Sequence, residues 1–194
     1  MAYSEILYDV SDKIATITLN RPKALNAWTT TMEGEVRAAL IEASADDNVG
    51  AIILTGEGRG FCSGADMNNL NNIQKGASSG GRTSDSVRAV DNAIPGGLAL
   101  SNDYSLRYTY FPTVPKPIIA AINGPAAGLG LIMSLYCDVR FASDAAVFST
   151  AFSRRGLIAE HGISWMLPTL IGPANALDLT LSARKIDARE AKEI

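Results

Sequence analysis

Backbone amides, rather than acidic or basic side chains, are the first candidates for chemistry in this 194-residue sequence. The stretch AINGPAAGLGLIMSLYCDV, residues 121–139, is an apolar run broken by Gly124, Gly128 and Gly130, with no acidic, basic or thiol group before Cys137. Glycine is used where a chain turns tightly or where backbone approaches another group closely. The stretch therefore predicts that backbone atoms come close to a neighbouring segment or a ligand.

A second glycine-rich turn, within GRGFCSGADM, follows the apolar run VGAIILTGEG, which is typical of a buried strand. Two predicted strands thus end near Gly56 and Ile122, and each continues into a glycine-rich turn and then a helix. Ligands bind beyond such strand ends, and helix N-termini offer free N–H groups with partial positive charge. Two converging turns would form an oxyanion hole. The alternative, that the glycines only allow helices to pack on strands, stays open on spacing alone.

Known phosphate and nucleophile motifs are absent from the sequence. GPAAGLG does not have the spacing of G-x-G-x-x-G, so a dinucleotide site is disfavoured. There is no P-loop and no G-x-S-x-G elbow. The turns are therefore not explained by a nucleotide or by a serine nucleophile.

Metal-binding and nucleophilic side chains are few. His161 is the one histidine, and Cys62 and Cys137 are the two cysteines, too few for a Cys/His zinc site or a disulfide framework. We expect no metal and no cofactor. Reduced thiols are typical of the cytoplasm, and Cys62 is interpreted as a small packing residue.

Composition indicates one globular domain. Apolar residues make up 47% of the chain and charged residues 19%, with a net charge of −3. No basic stripe is present, so we expect no nucleic-acid partner. No apolar run reaches the ~20 residues that span a bilayer, and the N-terminus lacks the pattern of a secretion signal.

The elements that must position these groups alternate between strands and helices, which is typical of an α/β fold. Period-2 alternation predicts two strands in SEILYDVSDKIATITL, and a stripe of apolar residues predicts a helix in TTTMEGEVRAALIEASADD with a threonine N-cap. We predict a mobile loop over 68–84 and mostly helix from 84 to 111. Further predictions are a strand in PKPIIAAING, a helix from about Gly128 to Tyr136, short strands in DVRFASDAAVFS, and helices in HGISWMLPTLIG, PANALDLTLSA and DAREAKEI.

Four stretches together resemble the crotonase, or enoyl-CoA hydratase/isomerase, superfamily: NRPKALNAW, GRGFCSGADM, PKPIIAAINGPAAGLG and CDVRFAS. The later segment LPTLIGPANALDLTLSARKIDAREAKEI is also similar to this family. The resemblance implies a spiral of ββα units with two roughly perpendicular sheets, assembly into trimers or pairs of trimers, and an acyl-CoA substrate. It implies a single core domain over residues 1–194 and leads us to expect a C-terminal helical segment that this sequence does not include.

By the same resemblance, the backbone N–H groups of Ala65 and Leu129 would hold the thioester oxygen while enolate charge develops. Ala24 and Ser63 occupy positions where family members touch the adenine of coenzyme A through backbone atoms. Asp66 and Met67 would continue that wall of the substrate site.

The hydratases of this family use two glutamates, and the matching positions here are Ile132 and Phe152, both apolar. A third position that carries an acid in some family isomerases and in an aryl-CoA dehalogenase is Glu160. We expect Glu160 to act as the base of a double-bond isomerisation, in a dry pocket that raises its pKa. Ile158, Ile163 and Trp165 are candidates for the apolar wall of that pocket.

Several alternatives stay open at this stage. Glu160 could be a surface acid before a helix, and adjacent residues usually diverge, so a working pair with His161 is not expected. The protein could be a hydratase with other water-activating groups, a hydrolase or dehalogenase with Glu160 as nucleophile, or an acyl-CoA binder without turnover.

Overall fold

The computed structural model describes residues 3–66, 94, 96–101, 104 and 107–194. Met67, the predicted loop over 68–84 and most of the helix predicted from 84 to 111 lie outside these residues. The described part from 107 to 110 is a turn, not a helix, and it leads into a short 3₁₀ turn, Phe111–Thr113. Pro112 in that turn has no N–H to donate to a longer helix.

Two β-sheets form the framework. The large sheet has the strand order β1-β2-β3-β4-β6, and the small sheet has the order β5-β7-β8. β1 is antiparallel to β2, whereas β2, β3, β4 and β6 run parallel. The strands are Ile6–Ser11 (β1), Ile14–Leu19 (β2), Ala51–Gly56 (β3), Ile118–Ile122 (β4), Ala126–Ala127 (β5), Val139–Ala142 (β6), Val147–Ser149 (β7) and Ile186–Asp187 (β8).

The helices follow strand pairs, as the predicted ββα units require. β1 and β2 precede α1 (Thr30–Ala45), β4 and β5 precede α2 (Leu129–Tyr136), and β6 and β7 precede α3 (Ile163–Ser182). In the second and third of these units, the first strand joins the large sheet and the second strand joins the small one. The α/β fold with two sheets is therefore confirmed. A short helix, α4 (Ala188–Glu193), ends the chain.

The first helix matches its predicted stripe and cap. Its buried residues are the five of the apolar stripe: Met32, Val36, Ala39, Leu40 and Ala43. The hydroxyl of Thr29 accepts a hydrogen bond from the N–H of Met32 at 3.0 Å, which satisfies one of the free donors of the first turn. Lys116 donates to the carbonyl oxygens of Ala43 and Asp46 at the other end, where the helix dipole favours a cation.

The third helix contains the break predicted before Pro173. Gly172 has a non-helical backbone inside the element (φ 77°, ψ 157°), so two helical segments meet there. Proline cannot donate to the preceding turn, which explains why the two segments do not merge into one straight helix.

The carboxyl ends of β3 and β4 lie side by side, because Ile52 to Leu54 pair in parallel with Ile118 to Ala120. The two glycine-rich turns therefore leave the same edge of the sheet. They bind each other directly: the N–H of Cys62 donates to the oxygen of Pro125 at 3.1 Å, and the N–H of Ala127 donates to the oxygen of Cys62 at 3.0 Å. The two turns therefore converge, as the oxyanion-hole interpretation requires.

Candidate active site

The peptide between Gly64 and Ala65 is oriented by a bridge to Trp28. The N–H of Trp28 donates to the oxygen of Gly64 at 2.8 Å, and the N–H of Asp66 donates to the oxygen of Trp28 at 2.9 Å. All described peptides are trans, and in a trans peptide the C=O and N–H point in opposite directions. The N–H of Ala65 therefore points away from Trp28.

The N–H of Leu129 is oriented by the first turn of α2. The oxygen of Gly128 accepts from the N–H of Ile132 at 3.0 Å, so this C=O points along the helix. The N–H of Leu129, on the other side of the same peptide, points out of the N-terminal end of α2. Leu129 is the first residue of the helix, where N–H groups have no intrahelical acceptor.

Gly64 and Gly128 let the backbones of the two turns approach closely. Gly64 has a φ of +100°, and a Cβ on it would lie 3.0 Å from the oxygen of Ala127 and 3.8 Å from the nitrogen of Leu129. Gly128 has a φ of +51°, and a Cβ on it would lie 3.9 Å from the Cα of Gly64. Positive φ is inexpensive only for glycine. Ala65 and Leu129, the two predicted donors, directly follow these two contacting glycines in the sequence.

The leucine at position 129 does not interfere with its own N–H. Its side chain is buried in the hydrophobic core. At the N-terminal end of α2, Leu129 therefore offers its backbone N–H and not its side chain.

The residues predicted to line the coenzyme A site also lie together. The N–H of Ser63 donates to the oxygen of Leu25 at 3.0 Å, and the Ser63 hydroxyl donates to the oxygen of Ala24 at 3.3 Å. Ala24 belongs to a 3₁₀ turn, Pro22–Ala24. The structure therefore joins Ala24 and Ser63 in one surface next to the Gly64–Ala65 peptide.

Asp66 has a different environment from the one expected of a substrate-lining residue. Its carboxylate is buried and forms an ion pair with Arg21, Nη2 to Oδ2, at 3.0 Å. The described contact of this carboxylate is therefore with the protein itself, through Arg21.

Asn26 holds the site's turns together, and the sequence analysis missed it. It is fully buried with a φ of +54°, a left-handed conformation that asparagine tolerates better than most residues. Its side chain accepts from the N–H of Arg21 and donates to the oxygens of Glu57 and Gly60. Asn26 thereby ties the NRPKALNAW segment to the turn after β3. The available signal was an asparagine in the short segment between a predicted strand and a predicted helix.

The positions of the missing hydratase acids are part of the core. Ile132 lies in the first turn of α2 and is 1% exposed, and Phe152 is 7% exposed. Neither position offers a group that could bind or activate water.

Glu160 and His161 form a pair, contrary to the expectation that these neighbours diverge. The Nε2 of His161 lies 3.2 Å from the Oε2 of Glu160. The physical reason is local: His161 has a φ of +55° and Gly162 a φ of +77°. This left-handed backbone prevents the alternation of side chains seen in an extended chain.

The surroundings of His161 keep its imidazole neutral. Burial and the nearby Arg107 guanidinium lower the pKa of His161 to about 4. The ring of Tyr108 packs edge-on against the imidazole, with centroids 4.5 Å apart, and Arg107 is held by Glu33. At neutral pH, the imidazole of His161 is therefore uncharged where it contacts the Glu160 side chain.

The dry apolar wall expected around Glu160 is only partly present. Ile163 is buried, but Ile158 and Trp165 are exposed, and 38% of the Glu160 side chain is accessible. The prediction for Ile158 and Trp165 is wrong, because these side chains point outward from the loop and the first turn of α3. Glu160 is accessible to a molecule outside the fold.

Helix α2 links the predicted donor Leu129 to the segment that carries Glu160. Leu129 begins this helix and Tyr136 ends it, and the Tyr136 hydroxyl donates to the oxygen of His161 at 2.8 Å. The backbone next to Glu160 is thereby tied to the C-terminal end of α2, the helix whose first residue is Leu129.

Other features of the described residues offer no second catalytic centre. Cys62 and Cys137 are free and buried, and burial raises the pKa of each thiol to about 12. No group of three or more metal-ligating side chains occurs in the part of the chain that the structure describes. A cavity of about 970 Å³ lies between α2, β6, β7 and the C-terminal helices, and none of Ala65, Leu129 and Glu160 lines it.

A family model described as "Enoyl-CoA hydratase/isomerase" matches residues 14–194. The chain belongs to this family. The match includes both glycine-rich turns, α2 and the Glu160–His161 pair.

Two relatives in the enoyl-CoA hydratase/isomerase family are named as isomerases. The chain is 35% identical over 188 residues to a 1,2-epoxyphenylacetyl-CoA isomerase of Escherichia coli, covering 97% of this chain and 66% of the relative. It is 34% identical over 181 residues to a peroxisomal Delta(3,5)-Delta(2,4)-dienoyl-CoA isomerase of Arabidopsis thaliana, covering 92% of this chain and 62% of the relative. These relatives extend beyond the aligned region, so the chain spans about two thirds of their length.

The fold of this family member agrees with solved structures. An enoyl-CoA hydratase from Bacillus anthracis superposes with a TM-score of 0.78 at 30% identity, covering 98% of this chain and 67% of that one.

Among the described residues, no helix is both long and apolar enough to cross a membrane.

Proposed function

We propose that this chain is the core of an acyl-CoA enzyme that stabilises an enolate between the N–H groups of Ala65 and Leu129. The observation that carries the proposal is the close approach of Gly64 and Gly128. Each of these glycines is followed by a residue whose N–H points out of its turn. Names of relatives that include hydratase and isomerase support an acyl-CoA thioester as the substrate class.

The chemistry of a thioester fits two backbone donors. The ground-state carbonyl oxygen is neutral, and it becomes negatively charged when a proton leaves C2. Donors fixed in advance at that oxygen stabilise the charge as it forms, so they lower the barrier more than they strengthen substrate binding. Each such donor contributes about 3–4 kcal/mol.

The preferred reaction is double-bond isomerisation with Glu160 as base. Glu160 takes the C2 proton of a 3-enoyl thioester, and the C–H electron pair enters the enolate. When the enolate collapses, the double bond moves to C2–C3, and Glu160 returns the proton to C4. The accessible carboxylate and its 3.2 Å contact with the neutral imidazole of His161 support this role. The buried apolar side chains of Ile132 and Phe152 argue against a two-glutamate hydration.

The second candidate is an acyl-CoA binder without turnover. It is favoured by the same two apolar positions, where family hydratases place their acids. It predicts binding of the thioester with no proton exchange at C2 or C4.

Proton exchange in heavy water separates the two candidates. A 3-enoyl-CoA and a 2-enoyl-CoA are incubated with the wild-type chain, Glu160→Gln and Glu193→Gln, and deuterium incorporation is followed by NMR. Glu193 is an exposed acid of α4, paired only with Arg189 among its described contacts, and it serves as the matched control.

We expect deuterium at C2 and C4 with wild type and Glu193→Gln and none with Glu160→Gln. Exchange or hydration that persists in Glu160→Gln would assign the chemistry to another group. Binding without exchange in every variant would establish the binder.

The proposal extends to assembly and compartment. Trimers or pairs of trimers would cover large apolar side chains that are exposed in the single chain: Val139, Phe141, Leu177 and Leu181. Light scattering coupled to size-exclusion chromatography measures the assembly directly. The two free cysteines are compatible with a cytoplasmic location.

A further inference from the structure

Arg21 contacts three groups behind the oxyanion turn. Its Nη2 lies 3.0 Å from the Asp66 carboxylate, its Nε lies 3.3 Å from the Glu5 carboxylate, and its Nη1 donates to the oxygen of Ala27 at 2.5 Å. Each of the three guanidinium nitrogens therefore has a described partner. Such a planar fork fixes its partners relative to one another more firmly than a single ammonium could.

Two of these partners lie next to the bridge between Trp28 and Ala65, which orients the Ala65 N–H. In this bridge, Trp28 forms backbone hydrogen bonds with Gly64 and Asp66. Ala27 directly precedes Trp28 in the sequence, and Asp66 directly follows Ala65. Arg21 thus bonds to both strands of the bridge, one on each side. A change in their spacing would tilt the Gly64–Ala65 peptide and move the proton that the substrate oxygen meets.

Charge gives Arg21 a second effect on the same site. The side chains of Asp66 and Glu5 are 12% and 22% exposed, and Arg21 lies between them. Asp66 directly follows Ala65 in the chain, so its carboxylate is within one residue of the proposed donor. Like charges repel more strongly where water is excluded. The guanidinium offsets the carboxylate charge without touching the substrate.

Glu5 connects this cluster to the start of α1. Its carboxylate accepts from the N–H of Met32 at 3.1 Å, and the hydroxyl of Thr29 also donates to it. The cap of α1 and the oxyanion turn are thereby joined through Glu5 and Arg21. This link fixes the turn against a rigid helix.

We propose that Arg21 is a positioning residue for the oxyanion hole: it orients the Ala65 N–H through Asp66 and Ala27 and neutralises Asp66 beside the developing charge. This inference rests on the proposed function, because it concerns the same two donors. Arg21 itself does not contact the reacting atoms.

The test uses Arg21→Lys, which keeps the positive charge and loses the fork, and Arg21→Gln, which loses both. Arg184→Lys is the matched control, because Arg184 also bridges two carboxylates, Asp178 and Glu190, near the C-terminus. Steady-state kinetics give kcat and KM with a 3-enoyl-CoA. Carbon-13 NMR of bound butyryl-CoA, labelled at the thioester carbonyl, reports polarisation of that carbonyl without turnover.

We expect Arg21→Lys to lower kcat by about 10- to 100-fold with a KM within about threefold of wild type, as small misplacements of catalytic groups do. The downfield shift of the bound carbonyl should shrink in Arg21→Lys and stay at the wild-type value in Arg184→Lys. Arg21→Gln should reduce kcat and the carbonyl shift further than Arg21→Lys does. If Arg21→Gln fails to fold, the kcat and carbonyl shift of Arg21→Lys are sufficient to test the role of Arg21.

Two results would overturn the inference, and they are distinguishable. A wild-type kcat and carbonyl shift in a folded Arg21→Lys would remove Arg21 from the positioning role while leaving the proposed function intact. A wild-type chain that binds butyryl-CoA with no carbonyl shift would contradict the oxyanion hole itself, and the role of Arg21 with it.

Discussion

Gly64 and Gly128 face each other across the two glycine-rich turns, and a Cβ on Gly128 would lie 3.9 Å from the Cα of Gly64. Each glycine has a positive φ, and each directly precedes a residue whose N–H points out of the turn. Because the two turns are also joined by hydrogen bonds between Cys62 and residues 125–127, their spacing is fixed before any ligand binds. This fixed spacing is what the proposed stabilisation of an enolate requires of its two donors.

Gly64→Ala should impair both folding and binding. A Cβ at this position would lie 3.0 Å from the oxygen of Ala127, on a backbone with φ of +100°. We expect the free energy of unfolding to fall by about 1–3 kcal/mol and the bound thioester carbonyl to lose its NMR shift. Gly34→Ala is the control, because Gly34 lies within α1 with open space around it. It should raise stability by up to about 1 kcal/mol, and equal effects of the two changes would contradict this account.

His161 should titrate at about pH 4 rather than near its ordinary value of about 6.5. NMR of the imidazole C–H protons measures this directly in the single-histidine chain. The unfolded state then binds more protons between pH 6.5 and 4, so the free energy of unfolding should decrease as the pH falls through this window. His161→Asn, which tolerates the left-handed backbone, should flatten that dependence. A titration midpoint of 6 or above would show that the imidazole is not held neutral.

Asn26→Ala should destabilise the chain strongly. The change removes three hydrogen bonds of the fully buried Asn26 side chain: a buried one to the oxygen of Gly60, and partly buried ones with the N–H of Arg21 and the oxygen of Glu57. We expect a loss of about 1.5–4.5 kcal/mol in denaturant unfolding, since each hydrogen bond contributes about 0.5–1.5 kcal/mol. Asn26→Gly separates the side-chain effect from the backbone effect. Asn175→Ala, at an exposed asparagine of α3, should change stability by less than about 0.5 kcal/mol.

Ile132→Glu should not create a hydratase. Ile132 is 1% exposed in the core, so a carboxyl group there would have a raised pKa and would resist ionisation. The free energy of unfolding should fall more at pH 7 than at pH 4, because the unfolded chain ionises this group and the folded chain does not. Ile132→Val, a change of one methylene, should cost about 0.5–1.5 kcal/mol at both values. A stable Ile132→Glu that hydrates a 2-enoyl-CoA would contradict the burial argument.

Much of the fold could be predicted because local patterns agree with tertiary packing. The helix predicted from about Gly128 to Tyr136 is observed as Leu129–Tyr136, and all five apolar residues of the α1 stripe are buried. The convergence of the two turns followed from parallel strands whose carboxyl ends share one edge. The strands β5 and β8 could not be predicted, because two residues are too few to show a period.

The candidate site was predictable where backbone forms it and less so where side chains do. Ala65 and Leu129 directly follow glycines, and glycines in a turn indicate a special backbone conformation from the sequence alone. The Arg21–Asp66 ion pair joins residues 45 positions apart in sequence, and nothing local couples them. The Glu160–His161 contact depends on a left-handed backbone at His161, a conformation that histidine rarely adopts and that residue type alone does not predict.

The most direct test of the central claim is a crystal structure of the chain with a bound acyl-CoA. The account predicts that the thioester oxygen lies about 2.7–3.1 Å from the backbone nitrogens of both Ala65 and Leu129. A thioester oxygen bound to other groups, with these two N–H groups facing solvent, would contradict it.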